Sequence, residues 1–418
     1  MDERLVIRGG RPLQGSIVAS GSKNAALYAI AAALLTADPV TIRNAPAIAD
    51  IGEMADLLRA LGARVEQSGD ELEIQAAELT EHRAPDEHVL ALRASFLVMG
   101  PLLAREGEAA CAAPGGDVIG VRPLDVHLTG FRALGAEVLR DGAAWVARAS
   151  RLTGARIFFD YPSVLGTVNL IFAATLADGT TTLVNAAAEP EVQMVAEMLN
   201  QMGARIRGHG GNTIEIDGVE RLHGTDFTVI ADRIESGTFL LAGAATGGDV
   251  TVEGAVTSHL DSLLTKLTEA GLDVTATDSG VRVCRHRGEG LKPIQLQAVP
   301  YPGYATDLHA PMAAMLTQAQ GVSIVLERVF ENRLLYVGEL RSMGAHITAG
   351  GQSVMIEGPT PLYGTNVRAL DVRAGAAVVI AGLAAEGETS IRDVVHLDRG
   401  YANLADRLCS LGADVRRV

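Results

Sequence analysis

Residues 50–75, DIGEMADLLRALGARVEQSGDELEIQ, contain the phrase on which the whole chain is patterned. An amphipathic segment, DIGEMADLLRAL, ends on Leu61-Gly62-Ala63 and leads into a strand, a tight turn and a second strand. Glycine at such a junction reads as a helix C-cap, because the chain must pass through a left-handed conformation that other residues adopt only with strain. The phrase returns as Leu134-Gly135-Ala136, Met202-Gly203-Ala204, Met343-Gly344-Ala345 and Leu411-Gly412-Ala413, with a weaker copy at Ala270-Gly271-Leu272. Successive glycines lie 68 or 73 residues apart, a period too long for the common solenoid repeats. Chance does not account for that regularity, so the chain contains six copies of one unit.

Other parts recur with the same period. AEVLRDGAAWVAR and ARIRGHGGNTIEI repeat the strand–turn–strand of ARVEQSGDELEIQ. Each copy also carries an alanine-rich helix: SKNAALYAIAAALL, RASFLVMGPLLA, VLGTVNLIFAATLA, RIESGTFLLAGAAT, TDLHAPMAAML and VRAGAAVVIAGLAA. Each such helix leads into a further strand, so the unit reads β-α-β-α-β-β. The last copy stops after LGADVRRV, and the first residues, LVIRGGRPLQGSIVAS, have the form of the segment it lacks. The N-terminal segment is therefore expected to pair with the C-terminal strand and complete the sixth unit.

The chain has 418 residues, 48% hydrophobic and 20% charged, enough for two or three domains. Aromatics make up only 4%, so alanine and aliphatic side chains must build the core. A net charge of −15 disfavours general nucleic-acid or membrane-surface binding, and any anion site must be a local cluster of Arg and Lys. Cys111, Cys284 and Cys409 share no ligand spacing, which suggests reduced thiols and no structural metal. The N-terminus lacks a signal pattern, and the Ala/Leu run of residues 25–35 is too short to span a bilayer. The expectation is a cytoplasmic α/β protein.

Small residues allow the alanine-rich helices to pack closely and be buried on most sides. A helix start presents free N–H groups and a partial positive charge, suited to anions. At these starts stand Lys23 and Asn24, Arg93, Ser163, Arg233, Asp307, and Asp371 with Arg373. Loops after the third strand carry Asp117 with Arg122, Glu331 with Arg333, and Asp398 with Arg399. Each alone reads equally well as a cap or a surface ion pair. The flexible Pro114-Gly115-Gly116 run, opening the stretch PGGDVIGVRPLD, alone reads as an ordinary turn. As a set they point to one cleft, because the repeat places equivalent ends in common positions.

SGSKNAAL, RAS, PGGDVIGVRPLDVH, NAAAEPE, DRIESGTF, TDLHA, VFENR, LDVRAGAA and LDRGY occur in that order from end to end. Together they resemble the UDP-N-acetylglucosamine 1-carboxyvinyltransferase family, enolpyruvyl transferases that begin peptidoglycan precursor synthesis and so serve cell-wall biogenesis, cell shape and division. The resemblance implies a two-domain inside-out α/β barrel, with three βαβαββ units per domain around buried helices. It divides the chain into residues 22–231, carrying a catalytic loop at 112–123, and residues 1–21 plus 232–418. The active site would lie in the interdomain cleft. The implied reaction passes the enolpyruvyl group of phosphoenolpyruvate to the 3′-hydroxyl of UDP-N-acetylglucosamine and releases phosphate, with no cofactor or metal. The expected molecule is a monomer or weak oligomer.

By the same resemblance, Lys23, Asn24, Arg122, Arg399 and Arg373 hold phosphoenolpyruvate, since guanidinium forks match carboxylate and phosphate. Asn24, Arg93, Arg122, Pro123, Leu124, Asp125, Val126, Tyr161, Pro162, Ser163, Val164, Asp307 and Val329 match the sugar-nucleotide positions. Asp307 would accept the 3′-hydroxyl proton or orient that hydroxyl, and could equally cap a helix. Arg333, Glu331 and Asp371 are supporting residues.

The chain departs from the family at the loop, where Asp117 stands in place of the usual Cys after Pro-Gly-Gly. Cys111 lies in the preceding strand and cannot substitute. As proton donor to C3 of phosphoenolpyruvate, an Asp must be neutral, and its ordinary pKa is ~3.9 against ~8.5 for Cys. Two expectations follow: activity that falls earlier with rising pH, and insensitivity to fosfomycin, which alkylates the thiol. Tyr161 replaces a frequent Lys, and Ala188 a frequent Arg. A paralogue acting on another nucleotide sugar and a silent UDP-sugar sensor are the alternatives. The sibling 5-enolpyruvylshikimate-3-phosphate synthase is disfavoured because LRASFLVMG replaces its Gly-Asn-x-Gly-Thr phrase. A nucleic-acid module lacks basic charge and an aromatic platform.

Overall fold

All six repeat glycines adopt positive φ, between +87° at Gly271 and +106° at Gly62. In the computed structural model, which describes residues 3–117, 119–120, 122–286 and 289–418, each ends a helix in the same way. Gly62 N donates to Arg59 O and Ala63 N to Leu58 O, both at 3.0 Å. The same two bonds recur at Gly135, Gly203, Gly271, Gly344 and Gly412. This is the Schellman arrangement, which satisfies the last helical carbonyls and aims the chain into the next strand.

The described residues form six separate open sheets, five of four strands and one of three. None closes on itself, so the expected barrel consists of open sheets packed around helices. Gln295–Ala298 runs parallel to Gly321–Glu327, which pairs antiparallel with Ser353–Gly358, itself in a hairpin with His346–Gly350. Parallel neighbours require a crossover, here the helix His309–Leu316, whereas the hairpin needs only a turn. That order is the β-α-β-α-β-β unit of the sequence.

Contacts divide the chain into two compact units. One contains Gly21–Asp117 and Arg122–Ile230, and the other contains the remaining described residues. In the second, Leu5–Arg8 lies between Glu388–Arg392 and Asp414–Arg417, so the N-terminal strand completes the last sheet. Gln14–Val18 then runs parallel to Asp249–Glu253. In the first unit, Asp226–Thr228 runs parallel to Val40–Arg43, joining the unit's last strand to its first repeat.

Two features depart from the repeat pattern. The three-stranded sheet lacks its first strand, which shrinks to a single bridge between Arg83 and Ala110. Pro85 lies two residues on, where it has no N–H to give a ladder and instead precedes the helix Asp86–Ala91. The segment RASFLVMGPLLA also splits into a 3₁₀ turn, Arg93–Val98, and an α-helix, Met99–Glu106. Pro101 sits in the first turn of that helix, where its missing N–H costs nothing. TDLHAPMAAML splits in the same manner at Thr306–Leu308 and His309–Leu316, with Pro311 in the matching position.

The alanine-rich helices are buried on nearly every side. Val372–Ala384 is buried from Val372 through Leu383 and packs on Arg233–Thr246 and His309–Leu316. Close approach depends on missing side chains: a Cβ at Gly375 would lie 2.8 Å from Leu397 Cδ2. The cluster they form runs from Leu5 to Val415 and is dominated by Leu, Ile, Val and Ala. No helix among the described residues is long and apolar enough to cross a membrane.

Two histidines are sealed into these cores. His127 Nδ1 faces the Asn169 amide at 3.0 Å, and Asn169 Nδ2 also donates to Phe96 O. An amide nitrogen only donates, so Nδ1 accepts and the ring proton resides on Nε2. Burial, with Arg93 nearby, pushes the His127 pKa down to about 3. Burial and Arg333 push His309 down to about 3 as well.

Both groups are neutral when folded, while the unfolded chain protonates near 6.5. Between those values the unfolded state binds more protons, so stability falls as pH drops below about 6.5. At pH 5 each histidine should cost the fold about 2 kcal/mol. Calorimetric proton uptake on unfolding at pH 5 is expected to be smaller by about one proton in His309→Gln than in wild type; equal uptake would show that His309 titrates normally in the fold. A second expectation concerns the glycine caps. Gly412→Ala meets no atom within 4 Å and should lose only about 1–2 kcal/mol of stability in urea unfolding, from backbone strain alone. Gly62→Ala should lose more, because its Cβ would come within 2.8 Å of Thr80 N and Oγ1.

Candidate active site

In the first unit the polar residues gather at helix starts. Ser22 caps the helix Lys23–Ala32 by accepting from Ala25 N, and Asn24 is its half-buried second residue. Lys23 Nζ lies 2.5 Å from Asp50 Oδ2, with both side chains nearly inaccessible. The sequence reading did not single out Asp50. It stands in the first turn of the helix Ala49–Ala60, where a carboxylate ordinarily reads as a dipole partner.

The loop after the strand Glu108–Ala112 is held by arginines. Arg93 heads the 3₁₀ turn and donates to Pro114 O at 3.4 Å and to Arg122 O. Arg122 Nη2 donates to Asp117 O at 2.7 Å. Gly116, at φ +100°, brings backbone so close that a Cβ would lie 3.0 Å from Arg93 Cβ. Burial, then the Arg122 charge, lower the Arg93 pKa to about 10. Val118 and Val121 of the predicted loop lie outside the described residues. Cys111 is buried in the strand, and burial pushes its thiol up to about 12, so it is no stand-in for a loop thiolate.

Pro123 and Leu124 lead into the helix Asp125–Ala133, and Ser163 caps Val164–Thr175 by accepting from Gly166 N. The two helix starts touch: a Cβ at Gly166 would lie 2.5 Å from Val126 Cγ1. Tyr161, just ahead of Pro162 and Ser163, is 45% exposed. Burial raises its phenol pKa, and a hydrogen bond with Ser163 and the charges of Asp125 and Arg93 also act on it. Arg93, Asp125, Val126, Tyr161 and Ser163 therefore come together, with Arg122 joined through Arg93.

The second unit holds a carboxylate between two guanidinium groups. Asp307 Oδ1 pairs with Arg333 Nη2 at 2.6 Å, and Oδ2 pairs with Arg373 Nε at 2.9 Å and Nη2 at 2.8 Å. Arg333 and Arg373 are buried. The capping role open to Asp307 is not what the fold uses: neither Thr306–Leu308 nor His309–Leu316 has a side-chain cap. Asp371 caps a different helix, Val372–Ala384, accepting from Arg373 N at 2.7 Å and Ala374 N at 2.9 Å.

Behind Asp307 lies Glu327, fully buried at the end of its strand and absent from the sequence reading. It accepts from the Thr306 hydroxyl at 2.8 Å, from Val329 N at 2.7 Å and from Phe330 N at 3.1 Å. The residue before Asp307 and the turn leading to Arg333 thus share one anchor, and Val329 is placed by it. In the same unit Asn332 N donates to Ile119 O at 3.0 Å, and a Cβ at Gly120 would collide with the Glu331 carboxylate. Arg399 is half-buried and follows the short helix Val395–Asp398, two residues before the buried Tyr401.

The EPSP synthase (3-phosphoshikimate 1-carboxyvinyltransferase) family model matches residues 7–408. UDP-N-acetylglucosamine 1-carboxyvinyltransferase 1 of Caldanaerobacter subterraneus subsp. tengcongensis is 46% identical over 418 residues, covering 100% of both chains. The enzyme of the same name from Halalkalibacterium halodurans is 47% identical, covering 100% of this chain and 94% of its own. Among solved structures, the enolpyruvyl transferase NikO from Streptomyces tendae matches with a TM-score of 0.89 at 26% identity, over 100% of this chain and 99% of its own. An EPSP synthase from Acinetobacter baumannii shares the fold, with a TM-score of 0.76 at 18% identity over the full length of both chains. Full-length identity of this order, on a fold common to these transferases, shows that the chain belongs to the UDP-N-acetylglucosamine 1-carboxyvinyltransferase family of enolpyruvyl transferases.

Proposed function

We propose that this protein transfers the enolpyruvyl group of phosphoenolpyruvate to the 3′-hydroxyl of UDP-N-acetylglucosamine, releasing phosphate by addition and elimination. The reading places it in the cytoplasm at the first committed step of peptidoglycan precursor synthesis. The observation that carries it is Asp307 held between buried Arg333 and Arg373, in a chain 46% identical to a transferase of that name.

In this reading residues at helix starts and in the adjoining loops act on one pair of substrates. Lys23, Arg122 and Arg399 hold the phosphoenolpyruvate anion, with Asn24 on the transferred group and Arg373 beside it. On a chain of net charge −15, such a cluster would draw anions to one place. The segments from Arg122 to Val126 and Tyr161 to Val164, with Arg93 and Val329, hold the nucleotide sugar. The 3′-oxygen attacks C2 of phosphoenolpyruvate as its proton passes to Asp307, and Asp117 gives a proton to C3. C3 then returns a proton to the Asp117 carboxylate as the C2–O bond to phosphate breaks, restoring the double bond, and the proton held by Asp307 leaves with the phosphate. Fixed cations stabilise the charge of the departing phosphate without reorganising.

A carboxylate can take the proton of the acceptor hydroxyl, which the amide of an Asn cannot. Asp307→Asn should lower kcat roughly 100-fold or more with little change in KM for the sugar nucleotide. Phosphate release measured with both substrates, with products identified by mass, tests the reaction and the variant together. Wild-type kcat in Asp307→Asn would remove Asp307 from the chemistry. A product built on another acceptor would instead favour the paralogue reading that Tyr161 and Ala188 raise.

The loop residue yields a second test. Across pH 5 to 9, wild-type activity should fall with rising pH earlier than that of Asp117→Cys, because the donor must be the neutral acid. Fosfomycin should leave wild type active and add its mass covalently to Asp117→Cys alone. Superimposable pH profiles, or a fosfomycin adduct on wild-type Asp117, would exclude this role.

A further inference from the structure

Arg373 meets Asp307 through Nε and Nη2, leaving Nη1 to be satisfied elsewhere in a buried setting. Nη1 donates to the Tyr401 hydroxyl at 3.2 Å, and the guanidinium carbon lies 5.7 Å from the centre of the same ring. Tyr401 is itself buried, so it is not a surface that substrate can touch.

The hydroxyl proton can be assigned from neighbouring partners. Thr238 Oγ1 donates its only hydrogen to Ile234 O at 2.8 Å. Tyr401 O lies 3.0 Å from Thr238 Oγ1, so in this pair the tyrosine must donate. Arginine cannot accept, so Nη1–H donates to the tyrosine oxygen. The chain of donation runs Arg373 to Tyr401 to Thr238 to the Ile234 carbonyl, with one proton at each link.

We propose that Tyr401 is a positioning residue for the transfer reaction, fixing the plane of Arg373 and through it the orientation of the Asp307 carboxylate. The role rests on Asp307 acting on the acceptor hydroxyl, as argued above. Tyr401 also follows Arg399 by two residues, so the anchored tyrosine limits where the Arg399 segment can lie. Without the hydroxyl, the ring still covers the guanidinium, but Nη1 is left buried without its acceptor. The Arg373 fork can then rotate away from the geometry that presents Asp307.

The test is Tyr401→Phe, which keeps the ring and removes only the hydroxyl. In the free protein, NMR of ¹⁵N-arginine-labelled material should show Arg373 Nη protons exchanging roughly tenfold faster than in wild type. With phosphoenolpyruvate and UDP-N-acetylglucosamine, kcat should fall roughly tenfold while KM for the sugar nucleotide stays within about twofold. A merely structural residue would lower the melting temperature and leave that split absent.

Thr238→Val removes the acceptor that aims the hydroxyl. It should move both readouts the same way by a smaller factor, and it serves as the test if Tyr401→Phe does not fold. The double variant should be no worse than Tyr401→Phe alone. Unchanged Arg373 exchange or wild-type kcat in Tyr401→Phe overturns the proposal. If wild type itself releases no phosphate, the transferase reading fails, and Arg373 exchange alone decides whether Tyr401 positions the pair.

Discussion

A helix enclosed by protein along its whole length has only its ends to offer. That constraint governs both units of this chain. Lys23–Ala32, Val164–Thr175, Arg233–Thr246 and Val372–Ala384 spend their lateral surface on packing, which is why they are rich in Ala, Gly, Leu, Ile and Val. At their starts stand Ser22, Ser163, Asp232 and Asp371, each using its own side chain to satisfy free backbone N–H groups. Functional side chains can then occupy only the first turn and the adjoining loops, and the candidate residues lie there.

Several charges at such places are paired. Lys23 pairs with Asp50, Arg407 with Glu235, and Asp307 with Arg333 and Arg373. Burial raises the Glu235 pKa even with Arg407 beside it, a sign of how strongly this interior opposes charge. Buried ion pairs are poor sources of stability compared with apolar packing, so geometry is the better reason for keeping them. Around Asp307 that geometry is supplied twice, by Glu327 behind its backbone and by Tyr401 behind Arg373.

Much of this was legible in the chain itself. The glycine phrases marked six helix ends, and all six carry the same pair of capping bonds. The form of LVIRGG matched the segment missing from the last copy, and Leu5–Arg8 does lie beside Asp414–Arg417. Less visible was the weakening of the second repeat around Arg83, because one strand's survival depends on its neighbours as well as its own residues. Asp50, Glu327 and Tyr401 were missed for a related reason. A carboxylate or phenol looks alike in sequence whether it faces water or a buried donor.

By itself the sequence determined the periodic elements, their order and the positions of helix ends, because backbone sterics at glycine and the spacing of apolar residues are local properties. It also held the ordered motifs by which the family is recognised. Only the tertiary structure decided which charges meet. It put Asp307 between Arg333 and Arg373, residues 26 and 66 positions away, and left the helix after Asp307 without a side-chain cap. Such pairings depend on distances between segments remote in the chain, and on burial that makes an unpaired charge too costly to keep.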